Sequence, residues 1–246
     1  MEAVARSPAD GYTLVLLSTA HSVNKSIYQR LNYDLLSDIA PVGGLYESQY
    51  LMLVNSSSPI RTASEFIKHV KMNPRKINFG SNGIGATGHL AGELFKMMTG
   101  VDMLHVPYRG EAPGLTDLAS GHVEVMFATM SGSLQFVRGG QLRALAITSR
   151  GRSQAAPDVP PLNEFVPGYE LLTRVGIGAP RNTPADIIKR LTSEINAALA
   201  TSTFQAKYAD LGVTVHAVSP SEFGGRLAED VEKWAKVVKF AGIKPI

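Results

Sequence analysis

Between Ile77 and Leu118 the chain runs twice through the same series of strand, glycine-rich loop and helix, as INFGSNGIGATGHLAGELF and then MLHVPYRGEAPGLTDL. A short apolar run closed by a glycine turn and followed by helical periodicity is the signature of the strand–helix units of an α/β fold. Each unit also aims a helix start at a cleft. The first N–H groups of a helix lack internal partners and together carry about half a positive charge, so they receive a carboxylate or phosphate readily. Two such ends with hydroxyls nearby suggest an anion-binding site.

The rest of the chain extends the alternation. Glu2 to Arg6 reads as the tail of a helix, Pro8 to Gly11 as a turn, Tyr12 to Leu17 as a strand, and Ser18 to Ser22 as a polar loop at its C-terminal end. Such loops are where open α/β sheets place ligands. An extended run follows from Pro41 to Asn55, and Thr62-x-x-Glu65 is a capping box for a helix. Further strands are expected at His122 to Phe127 and at Leu142 to Thr148, with a short helix between them that begins near Thr129 and is closed by Gly139-Gly140. The proline-rich stretch from Arg150 to Gly168 reads as a surface excursion, and Tyr169 to Ala179 as an extended return. The last third is helical, with starts at Thr183-Pro184 and Ser219-Pro220-x-Glu222 and with Trp234 on an apolar, core-facing stripe. Alternating strands and helices predict parallel sheets with right-handed crossovers.

Composition narrows the function. With 246 residues the chain is long enough for one large or two small domains, and 44% hydrophobic with 18% charged residues is the balance of a soluble globular protein. The net charge is only +3, and the densest basic group, Lys68, Lys71, Arg75 and Lys76, has no interleaved aromatics; it reads as a solvated helix end and not as a nucleic-acid footprint. The absence of cysteine excludes disulfides, thiolate metal sites and cysteine nucleophiles. No apolar run approaches membrane-spanning length and no signal segment opens the chain.

Chemical motifs are sparse. The loop Gly80 to Thr87 matches the dinucleotide pattern G-x-G-x-x-G imperfectly, and no Walker lysine follows, so no cofactor is indicated. Ser81, Thr87 and bare backbone N–H groups suit an anion, and they equally suit a tight turn capped by Thr87. His89 has no companion at metal-ligand spacing and reads as a hydrogen-bonded structural residue. Tyr108 and Arg109 project from a strand end. Thr129, Ser131 and Ser133 permit ligand contacts or plain capping, and Asp117 and Glu124 fit a solvated face. No Ser-His-Asp order, G-x-S-x-G elbow or zinc motif is present, so neither catalytic nor metal-binding residues are expected.

The segments ADGYTLVLLS, INFGSNGIGATGHLAGELF, VDMLHVPYRGEAPGLTDLASGHVEVMF, LRALAITS and KWAKVVKFAGIK, taken in order, resemble the Bug-type periplasmic solute-binding receptors of tripartite tricarboxylate transporters. The resemblance runs from about Ala3 to the C-terminus. It implies a two-lobed α/β fold of the type II periplasmic-binding class that closes like a flytrap on a small carboxylate. Di- and tricarboxylates, amino acids and aromatic acids are the expected ligands, and a membrane permease is the partner. Lobe one is expected at 1–47 with 176–246 and lobe two at 48–175. The family's site maps to Ser18 and Thr19, to Ser81, Gly83, Gly85 and Thr87, to Tyr108 and to Thr129.

Two departures accompany the resemblance. Ala128 stands where many relatives carry an aspartate, which removes an acidic group beside Thr129. The strand, glycine-rich loop, helix and second strand with which such receptors begin have no counterpart here, so the first lobe is expected to be N-terminally truncated, with unpaired sheet edges. The rival readings are an α/β enzyme acting on an anionic substrate and a non-binding remnant of a receptor.

Overall fold

The computed structural model describes residues 1–210 and 212–245. Leu211 and Ile246, which the sequence reading assigns to lobe one, lie outside the described residues. In chain order the elements begin with α1 (Glu2–Ala5), β1 (Val15–Ser18), α2 (Thr19–Ile27), α3 (Leu35–Asp38), β2 (Ile39–Asn55) and α4 (Ala63–Met72). The two glycine-loop units are β3 (Asn78–Ser81) with α5 (Thr87–Thr99), and β4 (Leu104–Pro107) with α6 (Glu111–Ala119). Then come β5 (Val125–Thr129), α7 (Met130–Arg138), β6 (Leu142–Ile147) and β7 (Leu172–Pro180). The last elements are α8 (Ala185–Leu199), α9 (Ser202–Asp210), β8 (Val213–Val218) and α10 (Pro220–Ala241). Two compact units result, Met1–Glu47 with Thr173–Ile246, and Ser48–Leu172. The chain passes between them inside β2 and at the start of β7.

In the first unit β1 runs antiparallel to β7, Val15 opposite Gly178 through Ser18 opposite Val175, and β7 and β8 both pair with β2. β1 ends the strand order, and Leu16 within it is 54% exposed. Leu17, Leu35, Ile39, Val218, Phe223 and Leu227 form a core, and α10 packs on α2 with Trp234 buried. Helix α10 starts where Ser219 accepts a hydrogen bond from the Glu222 N–H, and it stops at Gly242, which takes the left-handed conformation at φ 62°. The loop expected over Ser18 to Ser22 is instead the first turn of α2: Ser18 is the N-cap, and its N–H donates to His21 Nδ1 at 3.0 Å. Short polar residues favour caps as strongly as loops, which is why sequence alone misplaces this boundary.

The second unit holds the twin strand–helix motifs. β4, β3 and β5 are parallel, with Asn78 beside Leu104 and Phe79 beside Val125. β5 and β6 each run antiparallel to β2. The helical crossovers therefore join parallel strands as expected, but β2 inserts against them and the sheet is mixed. The stretch after β6 is no mere surface excursion. Leu162, Val166 and Ala156 are buried, and the Ile147 N–H donates to the Pro160 carbonyl, so these apolar residues cover the edge of β6.

Helix α5 lies unusually close to its sheet. A Cβ on Gly92 would stand 2.3 Å from the Phe79 ring, and one on Gly88 would stand 2.7 Å from the Phe127 carbonyl. Phe79 is itself fully buried and cannot move aside. Gly92→Ala is therefore expected to lower the unfolding free energy by about 1–3 kcal/mol, read as a lower urea midpoint; an unchanged midpoint would show that the helix can recede at no cost.

Candidate functional site

The C-terminal ends of β3, β4 and β5 lie side by side, and each leads into a helix. Of the expected site residues, Ser81, Gly83, Gly85, Thr87, Tyr108 and Thr129 come together here. The Tyr108 N–H donates to the Ser81 carbonyl at 2.9 Å, and the Tyr108 ring lies against Gly80 and Gly114. Ser18 and Thr19 belong to the other unit, at the junction of β1 and α2.

Many of the polar groups in the glycine loop are already engaged. Ser81 Oγ accepts from the Gly83 N–H at 3.2 Å, donates to the Gly83 carbonyl at 3.1 Å and lies 2.7 Å from His105 Nε2. The Gly85 N–H donates to His89 Nδ1 at 3.0 Å, and the Ala86 N–H donates to the Gly83 carbonyl at 3.3 Å. Positive φ at Gly83 (135°) and Gly85 (74°) lets the loop fold back on itself this way. Two of the N–H groups expected to face an anion are thus turned inward.

The start of α5 is different. Its N-cap is Ala86, not Thr87, and no side chain caps it. The N–H groups of Thr87, Gly88 and His89 occupy the first turn, where a helix offers no partner. All three residues are buried, and the Asn82 Oδ1, itself buried without a hydrogen-bond partner, lies beside Gly88.

The start of α7 is already occupied. Thr129 Oγ1 accepts from the Gly132 N–H at 3.1 Å and donates to Glu111 Oε1 at 2.5 Å, while the Thr129 N–H donates to Glu111 Oε2 at 3.0 Å. A carboxylate from the chain itself, that of Glu111, therefore occupies the start of α7. Sequence reading passed over Glu111; the signal available was an acid directly after Gly110 in a first helical turn. Burial raises the Glu111 pKa above the usual carboxylate value, and the two bonds from Thr129 oppose this only in part. Ser133 does not cap; its hydroxyl donates back to the Thr129 carbonyl.

Tyr108 directs its hydroxyl to Asp117 Oδ2 at 2.8 Å, and desolvation with that carboxylate pushes its pKa up to about 12, so it is neutral in the physiological range. In the first unit Thr19 is fully buried: its Oγ1 accepts from the Arg174 N–H at 3.0 Å and lies 3.4 Å from Asp230 Oδ2. The Ser18 hydroxyl lies 3.1 Å from His21 Nδ1. Asp230 also meets Arg174 Nη1 at 3.0 Å, and the Arg174 Nε lies 3.3 Å from Glu47 Oε1. Glu124 accepts from the Asn78 N–H, so the two acids weighed from sequence serve separate partners. Among the described residues no cluster of ligating side chains could hold a metal ion.

The model of the tripartite tricarboxylate transporter family receptor matches residues 1–243. Protein BugT of Bordetella pertussis (strain Tohama I) is 32% identical over 246 residues, 99% of this chain and 76% of its own length. The structure of R. palustris Rpa4515 with adipate superposes with a TM-score of 0.86 at 34% identity, covering 100% of this chain and 83% of the other. MatC (Rpa3494) from Rhodopseudomonas palustris with bound malate gives 0.81 at 28% identity, over 96% and 82% of the two chains.

The engagement of Glu111 carries a pH signature. Because its folded-state pKa is raised, its contribution to stability is fully present below the unfolded value of 4.5 and is lost as pH rises through the folded value. Denaturation of wild type and Glu111→Gln from pH 7 to pH 4 is expected to show the wild type gaining stability relative to the variant as pH falls. A pH-independent difference would contradict the burial of this charge.

Proposed function

Because the chain belongs to the tripartite tricarboxylate transporter receptor family, we propose that it captures a small carboxylate at the start of α5 and delivers it to a membrane permease. Its family and structural neighbours are solute-binding receptors and not enzymes, which sets aside the rival reading of an α/β enzyme. Periplasmic residence is part of the proposal and rests on the family. Among the described residues no helix is long and apolar enough to cross a membrane. Under this reading the two compact units are the two lobes of the receptor.

The observation that carries the proposal is the uncapped N-terminus of α5, set at the ends of three parallel strands beside Ser81 and Tyr108. There the N–H groups of Thr87, Gly88 and His89 and the Thr87 hydroxyl would hold one carboxylate, and Tyr108 would lend its ring. Gly83 and Gly85 shape the turn that aims the helix. Near Thr129 the Glu111 carboxylate disfavours a second anion, so that end suits the neutral or donor-bearing part of a ligand. Neutral donors also suit a carrier, because affinity gained without a buried ion pair leaves release possible.

Isothermal titration against adipate, malate, a tricarboxylate, acidic amino acids and a benzoate-type acid tests the reading. At least one is expected to bind with a Kd on the order of micromolar, equivalent to about 8 kcal/mol. Thr87→Pro removes one N–H and the hydroxyl, yet proline fits the first helical position and Ala86 already has the extended ψ of 159° that a following proline requires. The variant is expected to fold and to bind about tenfold more weakly or worse, a loss of at least about 1.4 kcal/mol. Undiminished binding would remove α5 from the site, and the failure of every acid to bind wild type would overturn the capture reading.

A further inference from the structure

We propose that His89 and His105 are positioning residues for ligand capture: stacked ring on ring, they hold the two ends of the glycine loop and so fix the direction of the α5 N-terminus. The inference rests on the capture reading above and gives the two imidazole side chains a role without ligand contact. The rings lie 3.7 Å apart between centroids at an interplanar angle of 7°, and Phe79 continues the stack 4.8 Å from His105. Each histidine holds a different point of the loop. His105 Nε2 meets Ser81 Oγ at 2.7 Å at its entry, and His89 Nδ1 accepts from the Gly85 N–H at 3.0 Å near its exit.

The hydrogen-bond roles follow from the inventory of each group. Ser81 Oγ donates to the Gly83 carbonyl and accepts from the Gly83 N–H, and with the His105 tautomer protonated at Nε2 its remaining lone pair receives that hydrogen. His89 Nδ1 is an acceptor, so its proton is on Nε2, 3.7 Å from Glu93 Oε1. Lys96 Nζ, at 3.0 Å, balances the Glu93 charge and lies 5.7 Å from the centre of the Phe79 ring. Burial and the neighbouring His89 bring the His105 pKa down to about 3, so the ring enters the stack uncharged.

The stack does what neither motif does alone. His105 is on β4 and His89 is on α5, so their contact fastens the second strand–helix unit to the start of the first helix. A loop held at Ser81 and Gly85 has little freedom between them, and the ordering cost is met on folding and not on ligand binding, which is how preorganisation raises affinity. Direct ligand contact is not required of either ring.

Paired variants separate a hydrogen-bonding role from mere filling of space. Phenylalanine keeps a ring for the stack but cannot accept or donate. Asparagine at 89 carries an acceptor where Nδ1 was, and glutamine at 105 carries a donor where Nε2 was. Binding of adipate and of malate is measured by titration calorimetry, and amide hydrogen exchange is followed at Gly83 and Gly85 in the unliganded protein.

His89→Phe and His105→Phe are each expected to weaken binding at least tenfold and to speed exchange at Gly85 or Gly83 at least tenfold; His89→Asn and His105→Gln are expected to return both readouts to within about threefold of wild type. Phenylalanine variants that bind like wild type overturn the proposal, whatever their exchange rates. So do Asn and Gln variants as defective as the Phe ones, because the bonds to Ser81 and Gly85 would then not be what holds the loop. Should the Phe variants fail to fold, loss of function in well-folded Asn and Gln variants overturns the proposal and wild-type behaviour supports it. If wild type itself binds neither acid, the capture reading fails for this pair of ligands, and exchange alone decides whether the histidines hold the loop.

Discussion

Helix α5 can approach its sheet only because Gly88 and Gly92 have no side chains. A Cβ at either position would meet Phe127 or Phe79 at 2.7 Å or less. That close approach sets the helix start level with the ends of β3, β4 and β5. It also lets His89 of α5 reach His105 of β4, and the Gly85 N–H reach His89. A helix held even one side-chain radius further out would lose the stack, and its first N–H groups would no longer open beside Ser81 and Tyr108. Interiors packed at crystal-like density transmit such a displacement in full. Small residues at the helix–sheet contact are thus the condition on which the site's geometry depends.

Given that approach, the second unit satisfies most of the polar groups around the glycine loop from within. The Ser81 hydroxyl and the Gly83 and Gly85 N–H groups are satisfied internally. The α7 start is covered by Thr129 and Glu111, and the Tyr108 hydroxyl is bonded to Asp117. What no side chain caps is the α5 start. Under the proposed capture reading, backbone dipoles fixed before a ligand arrives would need no reorganisation and would distinguish an anion from a neutral solute without a buried cation. The first unit spends its buried charges differently. Arg174 ties β7 to Asp230 of α10 and to Glu47 at the end of its share of β2, so Thr19 beside them is a structural hydroxyl as much as a candidate contact.

The architecture was largely legible in the sequence because its signals are local. The twin glycine-loop units, the capping box at Thr62 and the start at Ser219 each fix a boundary through residues a few positions apart. The ordered motifs made the family recognisable as well. What could not be read were relations across distant positions. The antiparallel insertion of β2 depends on where that strand enters the second unit. The meeting of Glu111 with Thr129, and of His89 with His105, depends on strand register. His89 read correctly as a hydrogen-bonded structural residue, but its partner Gly85 had been counted among the free donors. The glycines looked like bare N–H groups because sequence shows that a side chain is missing and not where the N–H points.

The most direct measurement is an amide-resolved NMR titration of the full chain with a saturating dicarboxylate. The Thr87, Gly88 and His89 N–H signals should show the largest downfield shifts, while those of Gly83, Gly85 and Gly132, already bonded inside the unit, should move little. Dominant shifts at Gly83, Gly85 or Gly132, with the first turn of α5 unaffected, would contradict the assignment of the α5 N-terminus as the carboxylate receptor.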